Sequence, residues 1–153
     1  IPAAKESMPK WVYGPEYFDC STVLEQEMRE AVGHAVAKEL IPPPTEDQWK
    51  MIVSPHPATC VIAGAGSGKS TTLILRVIFM LEYLKIPQDS VTIVSFTTAA
   101  CAELRQSLIE VIAYWRIAPL SKHEAKNLIR TFHSALYKVA CNAFSQPYTF
   151  FEN

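Results

Sequence analysis

Between the apolar runs "CVIA" and "TLILRVIF" lies "GAGSGKST", a stretch of small residues, one lysine and hydroxyls from Gly64 to Thr71. Such residues add little to a core, so their place between hydrophobic runs points to something they hold. Gly64, Gly66 and Gly68 allow backbone conformations closed to other residues and leave room for a phosphate against main-chain amides. A helix beginning near Lys69 would aim about half a positive charge at the same place. Lys69 would then reach the β- and γ-phosphates, and the Ser70 hydroxyl would ligate Mg²⁺. The cradle comprises Ala63, Gly64, Ala65, Gly66, Ser67, Gly68, Lys69, Ser70 and Thr71, and it names ATP or GTP without naming a reaction. The strict phosphate-loop pattern has glycine at position 63, where this chain has Ala63. A plain glycine turn with an incidental lysine is the competing reading; strand, loop, Gly-Lys-Ser and helix in succession argue against it.

Gln48 has a separate physical case. A planar carboxamide offers one donor and one acceptor side by side, matching the N6 donor and N7 acceptor of adenine. Guanine presents two acceptors on that edge, so a glutamine there favours ATP over GTP. Alone, the residue reads equally as a solvent-facing glutamine.

The elements that must position these groups alternate. Thr22 and Glu25 have capping-box spacing, and Leu24, Met28, Ala31, Ala35 and Val36 line one face of a first helix. "IPPP" (Ile41 to Pro44) ends it, since successive prolines remove donors and clash with preceding carbonyls. Thr45 and Asp47 are candidate caps for a short helix carrying Gln48. "TCVIA" reads as a buried strand and Gly68 to about Lys85 as a helix. "SVTIVSF" (Ser90 to Phe96) is a second strand, and "TTAACAELRQSLIEVIAYW" a helix with Ala100, Leu104, Leu108 and Val111 in step. Ser121 and Glu124 form another possible capping box; "LIRTF" reads as a third strand and "HSALYKVACNAF" as a helix. This alternation predicts an α/β fold, a parallel sheet covered by helices on both faces. The first nineteen residues show no periodicity and are either a strapped-down arm or disordered.

The 153 residues suffice for one domain that buries roughly 70% of its unfolded surface. Arg76 interrupts the greasiest stretch, so no segment could span a bilayer, and no signal-peptide pattern opens the chain; a cytoplasmic protein is expected. Arg76 itself is expected to be solvated or ion-paired. The chain starts at Ile1, which suggests a piece excised from something longer. The four cysteines lie about forty residues apart, which is no zinc pattern, and Cys60 and Cys101 read as buried thiols. A net charge of −1 gives no basic field, so any nucleic-acid binding must come from placed contacts. His34, His56 and His123 have no context and read as surface residues.

Taken in order, "AGAGSGKST", "TIVSFTTAACAELRQSL" and "IRTFHSALYKVA" resemble the UvrD/Rep/PcrA group of superfamily 1 DNA helicases, specifically their first RecA-like domain. The resemblance covers Thr45 to about Ala143, with the Q motif at Gln48, motif I at Ala63 to Thr71, motif Ia around Phe96 to Glu103 and motif Ib at Thr131 to Ser134. It implies a P-loop NTPase fold over 45–153, preceded by a helical extension over 1–44. It implies ATP and Mg²⁺ as cofactors and single-stranded DNA as partner. Phe96 would face a base, Thr97 and Thr98 would bond phosphates, and Thr131, His133 and Ser134 would contact the DNA backbone. The family usually shows Asn-Lys where this chain has Thr98 and Ala99, and the missing lysine weakens that contact. The competing assignment makes Phe96 core and the threonines helix caps.

The family's hydrolytic carboxylate pair and its arginine fingers have no counterpart here. The resemblance therefore implies a piece that binds nucleotide weakly and turns over little, the remaining helicase domains of the same chain completing a motor that runs 3′ to 5′. Two rivals stay open. One is another P-loop class, an ABC-type ATPase or a small-molecule kinase. The other is a degenerate helicase domain serving as a nucleotide-binding scaffold.

Overall fold

The computed structural model describes residues 17–56, 59–64, 66–116 and 119–144, so most of the proline- and aromatic-rich N-terminal stretch, and Ala65 of the loop, lie outside the described residues. Two compact units divide between Lys85 and Ile86.

In the first unit, α1 spans Thr22–Ala37 and buries Met28, Val32 and Ala35. Its cap is Ser21 rather than Thr22: Ser21 is extended, and its Oγ accepts from the Leu24 N–H at 3.3 Å. Glu25 therefore serves no capping box, and its carboxylate takes the Arg29 Nε–H at 2.9 Å. The helix also ends before the prolines. Glu39 turns left-handed (φ 58°), and the Leu40 and Glu39 N–H groups bond back to the carbonyls of Ala35 and Val36, a Schellman ending. Pro42 to Pro44 then lead into α2 (Glu46–Ile52).

α2 buries Trp49 and Ile52 and packs on α3 (Lys69–Ile78), which continues into one wider π-helical turn over Phe79–Tyr83. α1 packs against that turn, with Phe79 and Met28 wholly buried. Arg29 ties α1 to α2: its guanidinium forks onto Glu46 with both bonds at 3.2 Å and lies 4.4 Å from the Trp49 ring centroid. Arg76 departs from the solvated or ion-paired expectation. It is 8% exposed, donates to the Ile52 carbonyl at 2.8 Å and faces the Phe18 ring at 5.3 Å. Burial pulls its pKa below the usual guanidinium value.

The "TCVIA" strand does not form. Residues 59–64 have no regular structure, and Val61 and Ile62 are 51% and 99% exposed. A strand exists only with a ladder partner, and the pairing among the described residues runs between β1 (Ile93–Ser95) and β2 (Ile129–Thr131). Cys60, in this segment, is exposed rather than buried, whereas Cys101 is buried as expected. The exposure of His34, His56 and His123 also matches expectation.

The second unit holds that sheet. β1 and β2 are parallel, in register Ile93 to Ile129 and Ser95 to Thr131. α4 (Thr98–Ile112), α5 (Lys122–Leu128) and α6 (Phe132–Phe144) contact them. Cys101, Leu108 and Ile112 of α4 bury with Ile93 and Ile129 as one core; of the expected face Leu108 is buried, while Ala100, Leu104 and Val111 are half-buried. Cover is one-sided: Ile93 is 8% exposed while its neighbour Val94 is 49% exposed. Arg105 of α4 holds the Ile129 carbonyl with Nε at 3.0 Å and Nη2 at 2.7 Å. The capping box at Ser121 and Glu124 forms as the spacing predicts.

Candidate functional site

Gly66 and Gly68 both take left-handed φ of 73°, which favours glycine strongly, and Gly68 is the N-cap of α3. Gly64 has no such need: its φ is not positive, and a β-carbon there would meet nothing within 4 Å. The start of α3 is distinctive in another way. Side-chain oxygens of Ser21, Thr45, Thr97, Ser121 and Thr131 accept N–H groups in the first turns of α1, α2, α4, α5 and α6. No side chain caps α3. Its first-turn donors, at Lys69 to Thr71, are left for an anion, the arrangement that binds phosphate.

Lys69 folds back across the loop. Its Nζ donates to the carbonyls of Ala63, at 3.2 Å, and Gly64, and to Ser67 Oγ at 3.4 Å. An ammonium has three donors, and phosphate oxygens would draw them off because a full negative charge attracts the ammonium more strongly than a neutral carbonyl does. Ser70 is exposed in the first turn of α3. Mg²⁺ is held by one or two protein oxygens with phosphate and water completing the shell, so a single hydroxyl fits. Among the described residues no group of three His, Cys, Asp or Glu side chains could hold a metal alone.

Gln48 stands beside this loop. Its Oε1 accepts the Thr45 N–H at 2.8 Å, its own N–H reaches Thr45 Oγ1 at 3.3 Å, and its Nε2 donates to the Ser67 carbonyl at 2.9 Å. Thr45 thus caps α2 and Asp47 does not; the Asp47 carboxylate takes Lys50 Nζ at 2.7 Å, a bond that lowers its pKa. Gln48 lines two adjoining pockets. One, of about 570 Å³, includes Met51, Ile62, Lys69 and Leu73; the other, of about 340 Å³, includes Pro42 to Pro44, Gly66 to Gly68 and Thr71. The Thr-x-x-Gln spacing of a capping box is the signal for the Gln48–Thr45 bond. Nothing in the sequence points to Ser67.

In the second unit the remaining site residues gather at the carboxyl ends of two neighbouring parallel strands. Phe96 follows β1 and is 86% exposed. Thr97 caps α4, its Oγ1 accepting from the Ala100 N–H at 3.1 Å, and Thr98 is exposed in the first turn. Thr131 ends β2 and accepts from the Ser134 N–H at 3.3 Å, with His133 and Ser134 exposed beside it. The capping alternative is therefore realised at Thr97, and the core alternative for Phe96 is not. Capping uses the Thr97 oxygen as an acceptor and leaves its O–H to donate. Phe132 joins this group: its ring centroid is 6.3 Å from that of Phe96 and 6.3 Å from that of His133.

The UvrD/REP helicase N-terminal domain matches residues 44–146. The chain is 34% identical over 94 residues to the protein YjcD of Bacillus subtilis, with 61% of this chain and 12% of that protein covered. It is 38% identical over 94 residues to the ATP-dependent DNA helicase srs2 of Schizosaccharomyces pombe, covering 61% and 10%. It is 39% identical over 70 residues to an ATP-dependent helicase/nuclease subunit from Anoxybacillus flavithermus, covering 44% and 6%. The chain thus spans about a tenth or less of these relatives. No helix among the described residues is long and apolar enough to cross a membrane.

Proposed function

The chain belongs to the UvrD/REP helicase N-terminal domain family, and from that premise we propose that it supplies the ATP-binding part of an ATP-dependent DNA helicase. The observation that carries the reading is the start of α3, which no side chain caps, set behind two left-handed glycines in a loop that Lys69 crosses. The first-turn amides and Lys69 hold the phosphates, Ser70 offers its hydroxyl to Mg²⁺, and Gln48 reads the adenine edge. Held there through Ser70, Mg²⁺ would supply neutralisation of phosphate charge. Ala63, Gly64, Ala65, Gly66, Ser67, Gly68 and Thr71 complete the RecA-like phosphate cradle. Phe96 stacks on a base of single-stranded DNA, while Thr97, Thr98, Thr131, His133 and Ser134 contact its backbone. Movement is 3′ to 5′ in the complete protein, with a carboxylate pair and arginines from other helicase domains doing the hydrolytic work.

Lys69→Ala tests the site. Calorimetric titration with Mg²⁺-ATP is expected to show affinity lowered more than about tenfold, with the circular-dichroism melt unchanged; a charge-assisted bond is worth about 1.5–3 kcal/mol. Equal affinity in wild type and variant removes the assignment.

A further inference from the structure

The two ends of the Gln48 carboxamide pull on different parts of the first unit. Oε1 closes the capping box of α2 through the Thr45 N–H at 2.8 Å, while Nε2 holds the Ser67 carbonyl at 2.9 Å, nineteen residues along the chain. The same nitrogen lies 2.8 Å from where a β-carbon on Gly68 would stand. Glycine at 68 thus serves a close approach as well as a left-handed turn.

We propose that Gln48 is a positioning residue for the phosphate loop, a latch that fixes the backbone around Ser67 before nucleotide arrives. The inference rests on reading Gly64 to Thr71 as a phosphate loop, and it adds to Gln48 a role independent of the base. Ser67 sits between Gly66 and Gly68, both left-handed. Glycine has the widest backbone choice of any residue, so this stretch has the most freedom to lose. Ordering deferred until the ligand binds subtracts from affinity; ordering already present does not. Lys69 cannot serve as the lasting tie, because its contacts with Ala63, Gly64 and Ser67 compete with phosphate. The bond from Gln48 to the Ser67 carbonyl faces no such exchange. Nor does it conflict with base reading. A primary amide carries two N–H groups and two oxygen lone pairs; latch and cap use one of each, leaving one of each for adenine.

Gln48→Glu separates latch from cap. Glutamate is a favoured third residue of a capping box, so the bond from Thr45 survives, but a carboxylate offers no donor to the Ser67 carbonyl. In nucleotide-free protein, backbone ¹⁵N order parameters at Gly66 to Gly68 are expected to fall from the rigid range near 0.85 towards about 0.6, with α2 protection unchanged. Unaltered order parameters overturn the proposal. Inorganic tripolyphosphate, which has no base, gives the second readout. Gln48→Ala is expected to weaken it about three- to tenfold, the range a single net hydrogen bond supports, and Thr45→Ala, which opens the cap and keeps the latch, to leave it unchanged. Tripolyphosphate binding indifferent to Gln48→Ala, or equally weakened by Thr45→Ala, overturns the latch. Wild-type chain that does not bind tripolyphosphate overturns the phosphate-loop reading instead, a result that loop order parameters in the variants cannot mimic.

Discussion

Phe96 leaves 86% of its surface in solvent, and its closest aromatic neighbour is Phe132, itself 44% exposed. A ring so placed forgoes hydrophobic stabilisation and would gain it on being covered, as by the flat face of a base. Stacking of one base on an aromatic side chain is worth about 1–3 kcal/mol. Phe96→Ala is therefore expected to lower affinity for a dT oligonucleotide roughly tenfold in fluorescence anisotropy, and unchanged affinity takes Phe96 off the strand path. At this scale the sequence is informative where a residue type has few uses. Gly-Lys-Ser after small residues leaves little choice about Lys69, and the structure sets that lysine across the loop. Arg76 defeats local reading because an arginine in an apolar run looks like an interruption. Its alkyl stem suits a buried face, and the Ile52 carbonyl that accepts its hydrogen bond is 24 residues away in sequence, invisible to local pattern.

Helix starts are the most legible elements, because a cap is a local bargain between neighbouring residues. Ser121 with Glu124 and Thr45 with Gln48 both close boxes, and what misleads is the choice between near neighbours, Thr22 beside Ser21 and Asp47 beside Thr45. Strands are not local, and "TCVIA" shows the consequence: β-branched residues supply propensity but cannot supply the partner. The box at Ser121 also carries a pH signature. Hydrogen bonds from Ser121, side chain before backbone, hold the Glu124 carboxyl below its ordinary 4.5. A depressed folded pKa means that the cap contributes fully above 4.5 and is lost as pH falls through the lower folded value. Amide protection factors in α5, which divide out the intrinsic slowing of exchange in acid, are expected to fall as pH drops below 4.5 and through the lower folded value. Glu124→Gln, which keeps an acceptor for the Ser121 N–H, is expected to flatten that dependence. An acid response identical in the variant would assign it to other carboxylates.

For the molecule as a whole, phosphate loop and strand-end cluster belong to separate compact units, the first ending at Lys85 and the second beginning at Ile86. The chain carries about a tenth of the length of a relative named as an ATP-dependent DNA helicase. Positioning and electrostatic stabilisation do most of the work in phosphoryl transfer; with the carboxylates and arginines elsewhere in the complete protein, as proposed, this phosphate cradle would hold ATP without cleaving it. Phosphate release by this chain is expected to match the protein-free rate, with or without dT oligonucleotide. Motor-like turnover would place every hydrolytic group within these residues.

One consequence belongs to the stretch from Glu39 to Thr45. A left-handed residue with two back-bonds, three prolines of fixed φ and a closed capping box follow one another, so few torsions of this stretch are free to vary widely. With Arg29 bonded to Glu46 and lying on Trp49 alongside it, α1 and α2 are tied at two places. A shift of the N-terminal helix is therefore expected to be felt at the threonine-to-glutamine turn, and through Gln48 at the Ser67 carbonyl.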